Sequence, residues 1–217
     1  MPAKLHVSPP VRRFVQSLVE APAPPGFRNP YSSACAAHNL TVFMSNRDRL
    51  DRTLLLLGEA PGYRGAAITG VPFASLSVLL DDWQDPWGIF GSASGFESPE
   101  GAAYRREATA TIFWRVLSGC LGDAPPPLTW NAVPFHPHGA AAFTNRRLLV
   151  REVTLGSAWL DALLGLFPNV EPVAVGRSAD EALSALGIRH VRVRHPSHGG
   201  AREFEAGLKM LDWAGGV

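Results

Sequence analysis

Two cysteines, at positions 35 and 120, are all that this chain of 217 residues contains. Thiols so few and so far apart build neither the disulfide framework of a small secreted domain nor a four-thiolate cluster within one chain. The expectation is a cytoplasmic protein with ordinary buried thiols. Long apolar runs are missing too: none approaches the roughly 18–20 residues that span a bilayer, so no membrane partner is expected. The opening residues, MPAKLHVSPPVRRF, hold no uninterrupted apolar stretch of the kind a secretory signal needs. No internal repeat, low-complexity linker, Gly-x-Gly-x-x-Gly string or P-loop is present, which removes repeat architectures and support for a nucleotide cofactor. Nor is charge of one sign in excess. Lys and Arg number 20 against 19 Asp and Glu, a formal net charge of +1.

Total charge therefore argues nothing about nucleic acid, but its distribution says more. Arg146, Arg147 and Arg151 fall in one segment, and Arg189, Arg192, Arg194 and Arg202 surround His190, His195 and His198. A cationic edge on a neutral domain suits phosphates, because neutralisation depends on local charge. A solvated Arg-rich face is the plainer reading.

Hydrophobic residues make up 46% and charged residues 18%, the balance of a globular protein. The length fits one domain with a sizeable core, residues 1–217. Within it, 1–50 read as an N-terminal helix and loop extension. The first helix covers roughly 9–20, and the Pro-rich 21–31 follow as a loop. Strand candidates are Thr53–Leu57, Leu128–Asn131, Pro172–Val175 and His190–Val193, each short, apolar and bounded by breakers. Helix-like stretches lie between them at 73–83, 101–119, 146–166, 178–187 with Ser178 as N-cap, and about 200–213. Residues 84–100 read as a long loop or insertion. Strands alternating with helices predict an α/β fold of three layers, α/β/α, around a mainly parallel four-stranded sheet.

The segment 54–75, LLLLGEAPGYRGAAITGVPFAS, is the most informative. Its leucine run has the length of a buried strand and stops at Gly-Glu-Ala-Pro-Gly, a sharp turn. In a doubly wound sheet, ligands bind in the crevice beyond the carboxyl ends of the strands. Glu59 stands there, although a strand-to-helix turn with a solvated Glu is the duller alternative. Two other strands end in polar loops, TWNAVPFHPH at 129–138 and RHPSHGG at 194–200. Parallel strands deliver such loops to one edge, so Glu59, Asn131 and His195 should converge.

GEAPG followed by GVPF, an Asn at a strand end and HPS near the C-terminus resembles the uracil-DNA glycosylase superfamily. The branch it is most similar to is the thermophile-type one whose first motif is also GEAPG. The segment Val173–Ala182, VAVGRSADEA, looks like that branch's strand-Gly-Arg-helix element, and the likeness runs from about 52 to 208. By this resemblance Glu59 and His195 are catalytic. Glu59 orients or deprotonates the attacking water and stabilises the oxocarbenium-like sugar, and His195 donates a hydrogen bond to uracil O2. Phe73 stacks on the base, Asn131 reads its edge, and Gly58, Ala60 and Gly62 border it, with backbone amides near Ala60 and Gly62. Ser197, His198 and Arg202 occupy the loop that meets phosphate and wedges into the duplex. That loop is Gly-rich and has no large apolar wedge, so Arg202 or His198 takes this role. The resemblance implies DNA containing uracil as partner, a monomer, and no cofactor or metal.

Each residue also has a bland reading: Phe73 as a first-turn core aromatic, Asn131 as a chain-end cap, His195 as a surface histidine. Two departures from the family stand out. The branch's iron–sulfur cluster requires four cysteines, which two cannot supply. Tyr63 replaces the acidic residue after GEAPG, and the place of the tyrosine that excludes thymine elsewhere falls nearer Gly62. His136 and His138 have zinc-like spacing, but Pro137 separates them and no carboxylate or thiolate completes a set. The rivals to a glycosylase are a relative that binds uracil or abasic DNA without turnover, and an unrelated hydrolase using Glu59 as base.

Overall fold

The structure, a computed structural model, describes residues 6–47, 53–83, 85–121, 124–141 and 143–211. Helix α1, Pro9–Glu20, starts where the Ser8 hydroxyl accepts the Val11 N–H at 3.4 Å and two prolines fill the first turn. Prolines cost nothing there, since those N–H groups have no helical partner. Val11, Phe14, Val15 and Leu18 recur at helical spacing and are buried. The Pro-rich segment that follows is more ordered than a plain loop. It carries a short strand β1, Phe27–Arg28, and a 3₁₀ turn, Pro30–Ser32. Asn29 joins the two: its Oδ1 accepts the Tyr31 N–H at 2.8 Å, and its Nδ2 donates to the Leu18 and Ala21 carbonyls at 2.7 and 2.9 Å.

Helix α2, Ala34–Ser45, is a second helix in the N-terminal extension, for which only one helix was expected. Ala36, Asn39, Leu40, Val42, Phe43 and Met44 are buried, while Ala34, Ala37, His38, Thr41 and Ser45 form a less buried face. Alanines on the outer side and an asparagine on the inner one blur the polar contrast that would betray a helix. Strand β2, Thr53–Gly58, is the four-leucine run, and Leu55, Leu56 and Leu57 are wholly buried. A central parallel strand is covered on both faces, which explains apolar residues without alternation. Short helices α3, Ala66–Thr69, and α4, Leu76–Leu80, precede α5, Ala108–Leu121. Strand β3, Leu128–Asn131, follows, then β4, His136–Pro137, which pairs antiparallel with β1. The remaining elements are a 3₁₀ turn Val150–Glu152, α6 Ser157–Leu166, β5 Val170–Val175, α7 Arg177–Ala185, β6 Val191–Val193 and α8 Ala201–Lys209.

The main sheet has the order β3-β2-β5-β6 and is parallel throughout. The chain moves one way across it from β2 to β3, and the other way from β3 to β5 and β5 to β6. Right-handed crossovers therefore put α5 on one face and α6 and α7 on the other. Helix α8 joins α5, with Phe113 stacked on Phe204 at 5.5 Å, while α1 packs against α2 and α6. This is the three-layer α/β/α arrangement expected. Among the described residues no helix is long and apolar enough to cross a membrane.

Several boundaries differ from expectation. The helix expected over 73–83 shrinks to α4 because Phe73 has φ +58°, outside helical backbone. The stretch 146–166 divides into a 3₁₀ turn and α6. Gly156 sits between them, so close to the Ala132 carbonyl that a Cβ would collide with it. Ser178 lies inside α7, whose N-cap is Gly176, and residues 212–213 of the expected last helix lie outside the described residues. The loop 85–100 lacks regular structure yet is packed. The Asp85 carboxylate accepts the N–H groups of Trp87, Ile89 and Phe90 at 3.0, 2.6 and 2.8 Å, and Ile89, Phe90 and Phe96 enter the core. Cys35 and Cys120 are free thiols, half-buried rather than buried, and partial burial raises the pKa of both.

Candidate active site

The ends of β2 and β3 stay joined beyond the sheet. Ala132 N–H donates to the Gly58 carbonyl at 2.8 Å and Val133 N–H to the Glu59 carbonyl at 3.0 Å. At this carboxyl edge opens a cleft of about 640 Å³. Glu59, Ala60, Gly62, Phe73, Asn131, His195, Ser197 and His198 all line it, so the three loops do meet. Gly58 does not line the cleft itself but packs behind two of these side chains: a Cβ there would stand 2.6 Å from Phe73 Cζ and 2.9 Å from Asn131 Oδ1. Arg202 is the other expected residue outside the lining. It is exposed on α8.

Glu59 is held from across the cleft, its Oε1 accepting the backbone N–H of Leu148 at 3.1 Å. Asn131 is only 4% exposed, and its Nδ2 has no hydrogen-bond partner among the described residues. A buried amide left unpaired costs free energy, so such a group implies a partner from outside the chain. Phe73 stacks on Phe113 at 4.1 Å, with only 5° between the rings. Its left-handed backbone is fixed by the Trp114 indole N–H, which donates to the Phe73 carbonyl at 3.1 Å. Strain of this kind persists where surrounding contacts over-determine it, and such places cluster at sites.

His195 follows β6 and packs against Gly176, whose φ is +91° and whose Cβ would lie 3.2 Å from that of His195. The Ser197 N–H donates to His195 Nδ1 at 3.2 Å, and the Ser197 hydroxyl lies 2.7 Å from the same atom. Since an N–H can only donate, Nδ1 is the acceptor and the ring proton sits on Nε2. Burial, aided by the positive charges of Arg194 and His198, pushes its pKa down to about 4. The ring is a neutral Nε2–H donor at ordinary pH.

The cleft holds residues the sequence did not single out. Glu107, just before α5, brings a second carboxyl whose pKa burial raises against the pull of Arg64. Its carboxylate lies over Gly65, where a Cβ would strike it, and near Gly62. Asn145 accepts the Tyr63 N–H at 3.1 Å. Leu148 stands on the wall as well, beside Arg177 of the Gly-Arg element and Arg147 and Arg194 from the basic clusters already read in the sequence. A backbone N–H such as that of Leu148 leaves no trace in residue types, whereas Glu107 could have been noticed as an acid opening a helix.

His136 is fully buried, with Nδ1 donating to the Pro61 carbonyl at 2.7 Å, which steadies the turn after Glu59. Burial lowers its pKa, and His138 Nδ1 lies 2.9 Å from the Gly139 carbonyl instead. Among the described residues no group of three or more His, Cys, Asp or Glu is arranged to hold a metal ion.

Neither a protein-family model nor a curated protein matches the sequence. Among solved structures, wild-type SMUG2 of Pedobacter heparinus superposes with a TM-score of 0.64 over 92% of this chain and 93% of that one. The fold is uracil-DNA glycosylase-like. At 15% identity the likeness is one of architecture.

Proposed function

We propose that this protein is a monofunctional DNA N-glycosylase that hydrolyses the bond between uracil and deoxyribose, releasing uracil and leaving an abasic site. The observation that carries the reading is the convergence, on one cleft, of a carboxylate, an unpartnered buried amide and a neutral imidazole donor. The chemistry needs this set. Breaking the bond builds positive charge on the sugar and negative charge on the departing base. A flipped base enters the cleft, where Phe73 offers a stacking face and Asn131 its donor and acceptor to the base edge. The His195 Nε2–H meets uracil O2 as that oxygen gains charge, a preorganised donor that needs no protonation. Glu59 faces the sugar, offsets its charge and orients the water. The water oxygen bonds to the sugar carbon as one of its protons passes to the Glu59 carboxylate. The base leaves with the electrons of the broken C–N bond, as an anion that takes up a proton on release.

The GEAPG string and the strand-Gly-Arg-helix element at 173–182 favour the branch that shares them. No lysine lies in these motifs to form a Schiff base, so the same protein does not cut the strand. The proposal includes action as a cytoplasmic monomer on DNA. The test is a uracil-containing oligonucleotide treated with the protein, then with alkali to reveal abasic sites. Cleavage at uracil is the expected result. Tight binding with no cleavage would leave a binding relative, and no binding even in low salt would point to the unrelated hydrolase.

A further inference from the structure

The loop expected to wedge into DNA is poorly built for it. Residues 197–200 present a histidine at φ +52° and two glycines, and Arg202 stands outside the cleft. The opposite rim differs. Leu149 is 46% and Val150 85% exposed, and Val150 also lines the cleft mouth. These apolar side chains lie between Arg147 and Arg151 in the sequence RRLLVR. Water gains nothing from such an arrangement, whereas a base stack flanked by phosphates matches it in both polarity and charge.

The turn is also braced by hydrogen bonds. Glu152 accepts the Leu149 N–H at 2.8 Å, and Arg146 grips both oxygens of the same carboxylate at 2.7 and 3.0 Å. Arg146 in turn donates to the Gly26 carbonyl at 3.3 Å and covers the Phe27 ring at 4.7 Å, tying the turn to the N-terminal extension. One residue before the apolar pair, the Leu148 N–H holds Glu59. The apolar tip and the acid thus hang on the same short piece of backbone.

We infer that the Leu149–Val150 turn is the wedge, entering the duplex beside the flipped nucleotide while Arg147 and Arg151 take the flanking phosphates. Apolar side chains inserted between base steps unstack and kink DNA in this way. The inference rests on the glycosylase reading for its substrate, but its first test does not need turnover. A duplex carrying a tetrahydrofuran abasic analogue next to 2-aminopurine reports unstacking as a rise in fluorescence. The wild-type protein should produce that rise. Leu149→Ala with Val150→Ala should cut it several-fold, and Val150→Leu should keep it. The ratio of uracil excision from duplex to that from single strand should fall about tenfold in the double variant, because only a duplex has a stack to penetrate. An unchanged rise and ratio would overturn the assignment. So would equal losses on both substrates, which mark a turn that merely supports Glu59. Fluorescence without excision by the wild-type protein would refute the glycosylase reading and leave the wedge standing. No binding to either DNA would refute both.

Discussion

The imidazole of His195 is a donor because of what touches its other nitrogen. With Nδ1 occupied by the Ser197 N–H, the ring proton sits on Nε2, and burial keeps the ring uncharged to about pH 4. Ring signals followed by NMR should show no titration of His195 between pH 8 and 5.5; a midpoint near 6.5 would mean a solvated ring. The same shift bears on stability. The unfolded chain takes up the proton first, so this contribution is complete above about pH 6.5 and is lost as pH falls toward about 4. Urea midpoints should drop over that interval, and less so in His195→Gln. Glu59→Gln should reduce single-turnover excision by about 10²–10⁴, the range for a positioned general base, with DNA affinity little altered. Wild-type rates in this variant would move the role to another acid, and Glu107 is the carboxyl in place to take it. Phe73→Ala should weaken base binding by roughly 1–3 kcal/mol, the value of a base–aromatic stack.

At the scale of elements, strand ends and turns set the geometry. Gly58 closes β2 with no room for a methyl between Phe73 and Asn131. Gly58→Ala should therefore displace both and slow excision about a hundredfold, since a misplacement near 1 Å carries that cost. Thermal unfolding should move far less than the rate does, and a matched fall in both would point to a packing defect instead. Asn29 shows the opposite balance. Buried and hydrogen-bonded to Leu18, Ala21 and Tyr31, it links α1 to the 3₁₀ turn. Asn29→Ala strands those groups and should cost about 1–3 kcal/mol by urea denaturation.

For the whole molecule, a net charge of +1 coexists with a cleft rimmed by Arg147, Arg177, Arg194 and His198. Binding to DNA should weaken steeply with salt although the protein is nearly neutral, because counterion release follows the phosphates met locally. Arg147→Ala and Arg194→Ala should each lower affinity across sequences and reduce the log–log salt slope by about one. Slopes equal to wild type would place the phosphates elsewhere. The N-terminal extension belongs to this scale too. Through β1 it pairs with β4, and through Gly26 and Phe27 it braces Arg146, so residues far from the motifs support the cleft wall.

Local chemistry wrote much of this in the sequence. A leucine run without alternation must be a strand buried on both faces, breakers after it must turn, and parallel strands must bring their ends to one edge. The three-layer fold and the meeting of Glu59, Asn131 and His195 followed from those rules. Helix α2 was hard to read because its outer face carries Ala34 and Ala37 and its buried face Asn39, which blurs the apolar–polar period. Left-handed backbone at Phe73 was hidden as well, for it depends on a Trp114 indole 41 residues away in the chain. The Leu148 N–H on Glu59, the imidazole tautomer and the exposed tip at Leu149–Val150 were set only by tertiary structure. Each depends on a partner or an exposure that packing creates, and residue type alone carries no record of either.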